Sequence, residues 1–171
     1  MGLNIKNYDL DGVRVLTPER FQDERGYFCE VIREDWKEFF DGKLPKQANL
    51  TGSFPGIVRA WHRHERGQID YYMVLKGTMK ICAYDGDRNS NTYRKIVEIV
   101  VSGDLVQIVR VPGKYWHGLK TVSKEPTMMV YFVNNLYDYD NPDEKRKSWN
   151  SSDIIDPVTK NPYDWNKPPH K

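Results

Sequence analysis

From Gly12 to Val133 the chain reads as short extended segments, rich in β-branched and aromatic residues, separated by turn signals at close intervals. The clearest are Tyr93 to Val101 and Leu105 to Val111, which Ser102, Gly103 and Asp104 are expected to join as a hairpin turn. Gly12 to Leu16, Gly26 to Arg33, Gln47 to Thr51, Ile57 to His62, Ile69 to Leu75, Met79 to Tyr84 and Thr127 to Val133 follow the same pattern. Lys76-Gly77, Asp85-Gly86 and Asn89-Ser90-Asn91 punctuate them. About nine strands at this spacing, with one helical turn at Glu34 to Phe40, predict an all-β antiparallel sandwich or barrel. Strands do not alternate with long helices, which excludes a doubly wound fold. After Asn134 the composition shifts to Asp, Asn, Pro and Lys. Residues 134–171 are therefore expected to form an irregular tail that wraps the barrel, within one domain spanning 1–171.

Composition narrows the partners. The 171 residues carry 26 Lys and Arg against 24 Asp and Glu, a net charge of +2. With no basic run longer than Lys145-Arg146-Lys147, there is no electrostatic basis for binding nucleic acid or a membrane surface. The longest apolar run, around Met128 to Val133, is far short of a membrane span, and Met1 to Leu10 lacks the apolar centre of a signal peptide. A soluble, cytoplasmic protein is expected. Cys29 and Cys82 have neither the number nor the spacing for a disulfide framework or a zinc knuckle, and read as reduced, buried thiols. Aromatic residues make up 13% of the chain, enough to line a pocket as well as a core.

The four histidines, His62, His64, His117 and His170, can be followed one by one. On a strand, His62 and His64 share a face, with Arg59 and Arg63 expected on the other. Gln68, Asp70 and Tyr72 share a face on the next strand. His117 follows a Pro112-Gly113 corner. Three histidines in two short motifs resemble the cupin superfamily, small β-barrels whose first motif carries His-x-His and whose second carries Pro-Gly and a further His. That resemblance implies a jelly-roll barrel.

The N-terminal part is similar to a narrower family. Phe21, Asp23, Arg25, Gly26, Phe28 and Glu30, then Gln47 and Asn49, then Arg59 and His62, resemble the dTDP-4-dehydrorhamnose 3,5-epimerase family. Ala60 stands where the family has glycine. Asp85 with Ser90, His117-Gly118, Tyr131 with Tyr137, and Trp149-Asn150 extend the match from about Thr17 to Trp149. By this resemblance, Arg25, Phe28, Glu30, Gln47, Asn49 and Arg59 hold a nucleotide and its diphosphate in a homodimer that exchanges strands. Arginine forks, a stacking ring and amides suit that ligand. His64, Gln68, His117 and Tyr137 complete the substrate pocket. His62 is the implied base and Tyr131 the implied proton donor for epimerisation beside the ketone of a 4-keto sugar. No cofactor is required by the family.

Three departures bear on activity. Asp70 replaces the family's lysine, which supports the negative enolate oxygen, and a carboxylate there has the wrong sign. His64 replaces a glutamine. The family's aspartate that orients the base, from a C-terminal segment, has no clear counterpart; Asp153, Asp156 and Asp164 are the candidates. The first two changes make His62, His64 and His117, with Gln68, Glu65 or Asp70, a candidate divalent-metal set. The alternative is that His64 simply hydrogen-bonds Asp70. Beside an epimerase, the pattern admits a 3,4-ketoisomerase, a metal-dependent cupin enzyme, or a non-catalytic nucleotide-sugar binding module.

Overall fold

The computed structural model describes residues 2–167; His170 lies outside them. Two antiparallel sheets face each other. The first has the order β1 (Ile5–Asn7), β2 (Arg14–Leu16), β10 (Ile108–Pro112), β7 (Ile69–Lys76), β12 (Thr127–Val133), β5 (Gln47–Ser53). The second has the order β13 (Lys145–Arg146), β6 (Val58–Arg63), β11 (Trp116–Thr121), β8 (Thr78–Tyr84), β9 (Ile96–Ser102). A separate hairpin, β3 (Phe21–Asp23) and β4 (Gly26–Phe28), and a single helical turn, α1 (Lys37–Phe40), complete the set. This is the jelly-roll barrel that the motif layout implied. Among the described residues no helix is long and apolar enough to cross a membrane.

Alternation along the strands decides where each side chain goes. Inward-facing Val74, Ile81, Ile99, Val101, Val109 and Met129 make the core between the sheets. The outer face of the first sheet is covered by α1, whose Phe40 packs edge-on against Phe39 and Tyr71, with Phe39 tilted against the same Tyr71 ring. The outer face of the second is covered by the chain after Asn134: Ile154, Tyr163 and Trp165 bury against Trp61, Cys82 and Tyr84. Underneath this cover Tyr163 donates to Glu98, and Lys167 pairs with Glu98 at 2.9 Å and Asp156 at 3.2 Å.

Three sequence-based expectations change. The turn at Ser102 to Asp104 does not make a hairpin, because β9 pairs with β8 while β10 crosses to the other sheet beside β2 and β7. Gly103 there packs on the Leu75 carbonyl, where a Cβ would lie 2.5 Å away, so the turn serves contact with β7. β11 was not predicted as a strand; its central Gly118 has little β propensity but sits where β6 and β11 approach too closely for a side chain. A Cβ at Gly118 would lie 2.3 Å from that of Ala60. Lastly, Cys29 is only half-buried, whereas Cys82 is buried; both are free thiols.

Candidate active site

Both sheets open at one end of the barrel onto a cavity of about 560 Å³. β5 supplies Gln47 and Asn49, β7 supplies Asp70 and Tyr72, and β12 supplies Tyr131. From the facing sheet come Arg59 and His62 on β6 and His117 on β11. His64 and Gln68 enter from the β6–β7 turn, and Tyr137, Glu144 and Arg146 close the mouth.

Arg59 faces the cavity with His62, not away from it as simple alternation requires. The β6–β11 register pairs His62 with His117 and then Ala60 with Gly118, leaving Trp61 as an extra residue. That bulge sends Trp61 outward into the cluster under the tail and returns Arg59 to the inner face. Arg59 is held there by Ser53 Oγ at 2.8 Å and the Gly52 carbonyl at 3.1 Å. Arg63 keeps the outward direction expected and stacks over Trp116.

At the floor of the cavity lies a group of imidazoles around one carboxylate. Asp70 is only 2% exposed, and its Oδ1 accepts from Gln68 at 3.0 Å. Its Oδ2 lies 3.2 Å from His117 Nε2 and 3.7 Å from His64 Nε2. Burial pushes the Asp70 carboxyl up, but His117, His64 and Gln68 outweigh it and hold the pKa below its usual value. Burial likewise opposes charge on His117, and Asp70 raises its pKa nonetheless. The carboxylate expected to repel an enolate is thus engaged at the cavity floor, with His117 Nε2 as its nearest imidazole nitrogen. His117 Nδ1 donates to the Tyr115 carbonyl at 2.9 Å, and His64 Nδ1 contacts the Asp143 carbonyl. Asp143 also accepts from the Glu65 and Arg66 amides at 2.9 and 2.8 Å, fixing the turn that carries His64.

His62 stands apart from this group, its ring centroid 6.2 Å from that of His117. Burial, assisted by neighbouring His117, pushes its pKa down to about 4. The carboxylate beside it is Glu144, whose Oε1 lies 3.4 Å from Nδ1 and whose Oε2 accepts from Arg146 at 2.7 Å. Asp153, Asp156 and Asp164 are elsewhere: Asp153 pairs with Lys147, Asp156 with Lys167, and Asp164 caps the Asn166 amide. Tyr131 is half-buried on the opposite sheet, its ring 6.1 Å from that of Tyr72, and burial raises its pKa.

Ten of the residues singled out from sequence come together here: Gln47, Asn49, Arg59, His62, His64, Gln68, Asp70, His117, Tyr131 and Tyr137. Arg25, Phe28 and Glu30 do not line this cavity within one chain. Arg25 pairs with Asp23 at the hairpin tip, Phe28 lies exposed against Phe21, and Glu30 pairs with Arg33. As for metal ligands, the donors that converge are His64, Asp70 and His117, all within 4.8 Å of one another, rather than the three histidines. Sequence reasoning missed Tyr72, Asp143, Glu144 and Arg146 as site residues. Tyr72 was signalled by the face it shares with Asp70, whereas the other three arrive from an aperiodic tail.

A sequence profile described as dTDP-4-dehydrorhamnose 3,5-epimerase matches residues 7–157. The chain belongs to this family. Agl13 of Haloferax volcanii, described as a probable low-salt glycan biosynthesis epimerase, is 40% identical over 124 residues, 72% of this chain and 78% of its own. The spore coat polysaccharide biosynthesis protein SpsL of Bacillus subtilis is 31% identical over 147 residues, 85% of this chain and 93% of its own. Among solved structures, the dTDP-4-dehydrorhamnose 3,5-epimerase of Elizabethkingia anophelis superposes with a TM-score of 0.77 at 27% identity, covering 90% of this chain and 85% of that one. Within this family member's own barrel, His62 and Tyr131 lie on facing walls of the cavity, with Gln47, Asn49 and Arg59 beside them and His64 and Asp70 at its floor.

Proposed function

We propose that this member of the family is a nucleotide-sugar epimerase acting on a dTDP-4-keto-6-deoxyhexose in deoxysugar or polysaccharide synthesis. The observation that carries this reading is that His62 and Tyr131 enter one cavity from facing sheets. In the proposed reaction His62 removes the acidified proton from C3 or C5 beside the ketone, and Tyr131 returns a proton to the opposite face, inverting that centre. Charge that develops on the C4 oxygen meets Arg59 and the imidazoles at the cavity floor. Gln47 and Asn49, tied by a 2.9 Å amide hydrogen bond, offer polar edges to the nucleotide, and Tyr137 reaches the mouth with its amide on Gln47.

The exposed hairpin fits a homodimer. Phe21, Tyr27 and Phe28 lie on a two-stranded arm outside both sheets, each at least half exposed. In the proposed cytoplasmic dimer that arm crosses to a second copy and brings Arg25, Phe28 and Glu30 to its nucleotide pocket. The deciding experiment incubates the protein with dTDP-4-keto-6-deoxyglucose in heavy water and follows C3 and C5 by NMR. Deuterium at either carbon is the expected result. A carbonyl moved to C3 indicates a ketoisomerase instead, and dTDP binding without exchange indicates a binding module.

A further inference from the structure

We propose that His64, Asp70 and His117 bind a divalent transition-metal ion, and that His62 is not one of its ligands. Asp70 supplies the first observation. Its Oδ1 is taken by Gln68, but its buried Oδ2 has no hydrogen-bond partner, although two imidazole nitrogens lie within 3.7 Å. A carboxylate oxygen left bare inside a protein is costly, and in native structures it points to a bound group.

The histidines supply the second observation. Each turns its Nδ1 to a backbone carbonyl, His117 to Tyr115 and His64 to Asp143. A carbonyl can only accept, so both Nδ1 atoms carry a proton, and each Nε2, turned toward Asp70, is the nitrogen that offers its lone pair when an ion displaces any proton there. That is the tautomer and outer support of metal-ligating histidine. Even with the largest of the three separations at its limit of 4.8 Å, a point equidistant from the three donors lies about 2.4 Å from each, a few tenths of an ångström beyond zinc–ligand bonds of roughly 2.0–2.2 Å. The Gln68 amide, 3.1 Å from His64 Nε2, gives up that contact to the ion and keeps its bond to Asp70.

Two imidazoles and one carboxylate select ions such as Zn²⁺, Co²⁺ or Mn²⁺ over Mg²⁺ or Ca²⁺. All three ligands line the cavity, so the remaining coordination positions face the space where substrate binds. There the ion acts as a Lewis acid on a substrate oxygen, while His62 stays unligated and free to take a proton.

The proposal goes beyond the epimerase reading and is tested apart from it. Tag-free protein, treated with chelator and then freed of it, is titrated with Zn²⁺ alone by calorimetry and with Co²⁺ alone by visible absorption. One equivalent of tight Zn²⁺ and the d–d bands of nitrogen and oxygen ligation are expected. H64Q and D70N, which remove ligands themselves, should each weaken Zn²⁺ by at least the roughly 10–100-fold that loss of a ligand's outer support costs, whereas H62N should bind it as the parent does. Folding of each variant is checked by circular dichroism. H64Q tests the site if D70N fails to fold. The proposal is overturned if Zn²⁺ does not bind, if binding survives both H64Q and D70N, or if H62N abolishes it. Metal binding without sugar exchange defeats only the epimerase reading; exchange by protein that takes up no metal defeats only this one.

Discussion

In the proposed reaction His62 and Tyr131 divide the labour in a way that substitution can separate. H62N is expected to lower kcat by roughly 10²–10⁴-fold while dTDP affinity stays within about twofold, measured by calorimetry. Y131F is expected to retain deuterium exchange at the carbon but to lose net inversion, because the enolate forms and is reprotonated only from the His62 side. Equal loss of exchange and inversion in Y131F would contradict that division. Arg59 forms hydrogen bonds to Ser53 and Gly52 and presents its guanidinium to the cavity. R59K should weaken dTDP by about tenfold, since an ammonium cannot reproduce the fork. Away from the site, Asp85 is buried and accepts from Ser90, Thr92 and the Asp87 amide. Burial raises its pKa, but these hydrogen bonds outweigh it and the value is lowered. Its stabilisation is therefore complete above the unfolded-state carboxylate range and is lost as pH falls through the lower folded value. D85N should flatten that acid limb of the stability profile in urea melts, and an unchanged limb would refute the assignment.

At the scale of elements, the bulge in β6 governs which residues reach the cavity. Gly118 and Ala60 touch across β6 and β11, so G118A places a methyl group where another already sits. It should destabilise the protein by about 1–3 kcal/mol. A60G should recover much of that loss, since the clash is between two methyl carbons, and thermal melts of both singles and the double variant measure it. The same strand shows what a sequence can and cannot disclose. His62, His64, Gln68 and Asp70 were legible because residues two apart share a face. Arg59 was misassigned because a one-residue bulge inverts parity and leaves no mark in composition. β11 escaped notice because its Trp-His-Gly-Leu-Lys-Thr run is fitted to its neighbours, not to intrinsic strand preference. The turn at Gly103 was recognised as a turn, but the partner of the following strand is chosen across the barrel, by contacts that local residues do not encode.

At the scale of the molecule, the cavity is walled by residues from Gln47 to Arg146, and its outer support comes from later still. β13 hydrogen-bonds along β6, with Trp61 and Lys147 exchanging amide and carbonyl at 2.9 and 3.0 Å. Trp61 and Trp165 both donate to the Trp149 carbonyl. W165A should cost about 3–5 kcal/mol through the void it leaves against Trp61 and Tyr163, and should lower activity through β6 although Trp165 does not line the cavity. The tail also explains why Asp143 and Glu144 were unreadable in advance: nothing in an aperiodic segment reports which strand it will flank. Pairing β6 with so distant a segment has a temporal consequence. The barrel core can close by joining strands that precede Asn134, but His62 gains Glu144 and His64 gains Asp143 only when the tail docks. On refolding from denaturant, the burial of Trp165 and the return of activity should therefore rise together, after core β-structure has formed, so that the enzyme becomes competent in the final step of its own assembly.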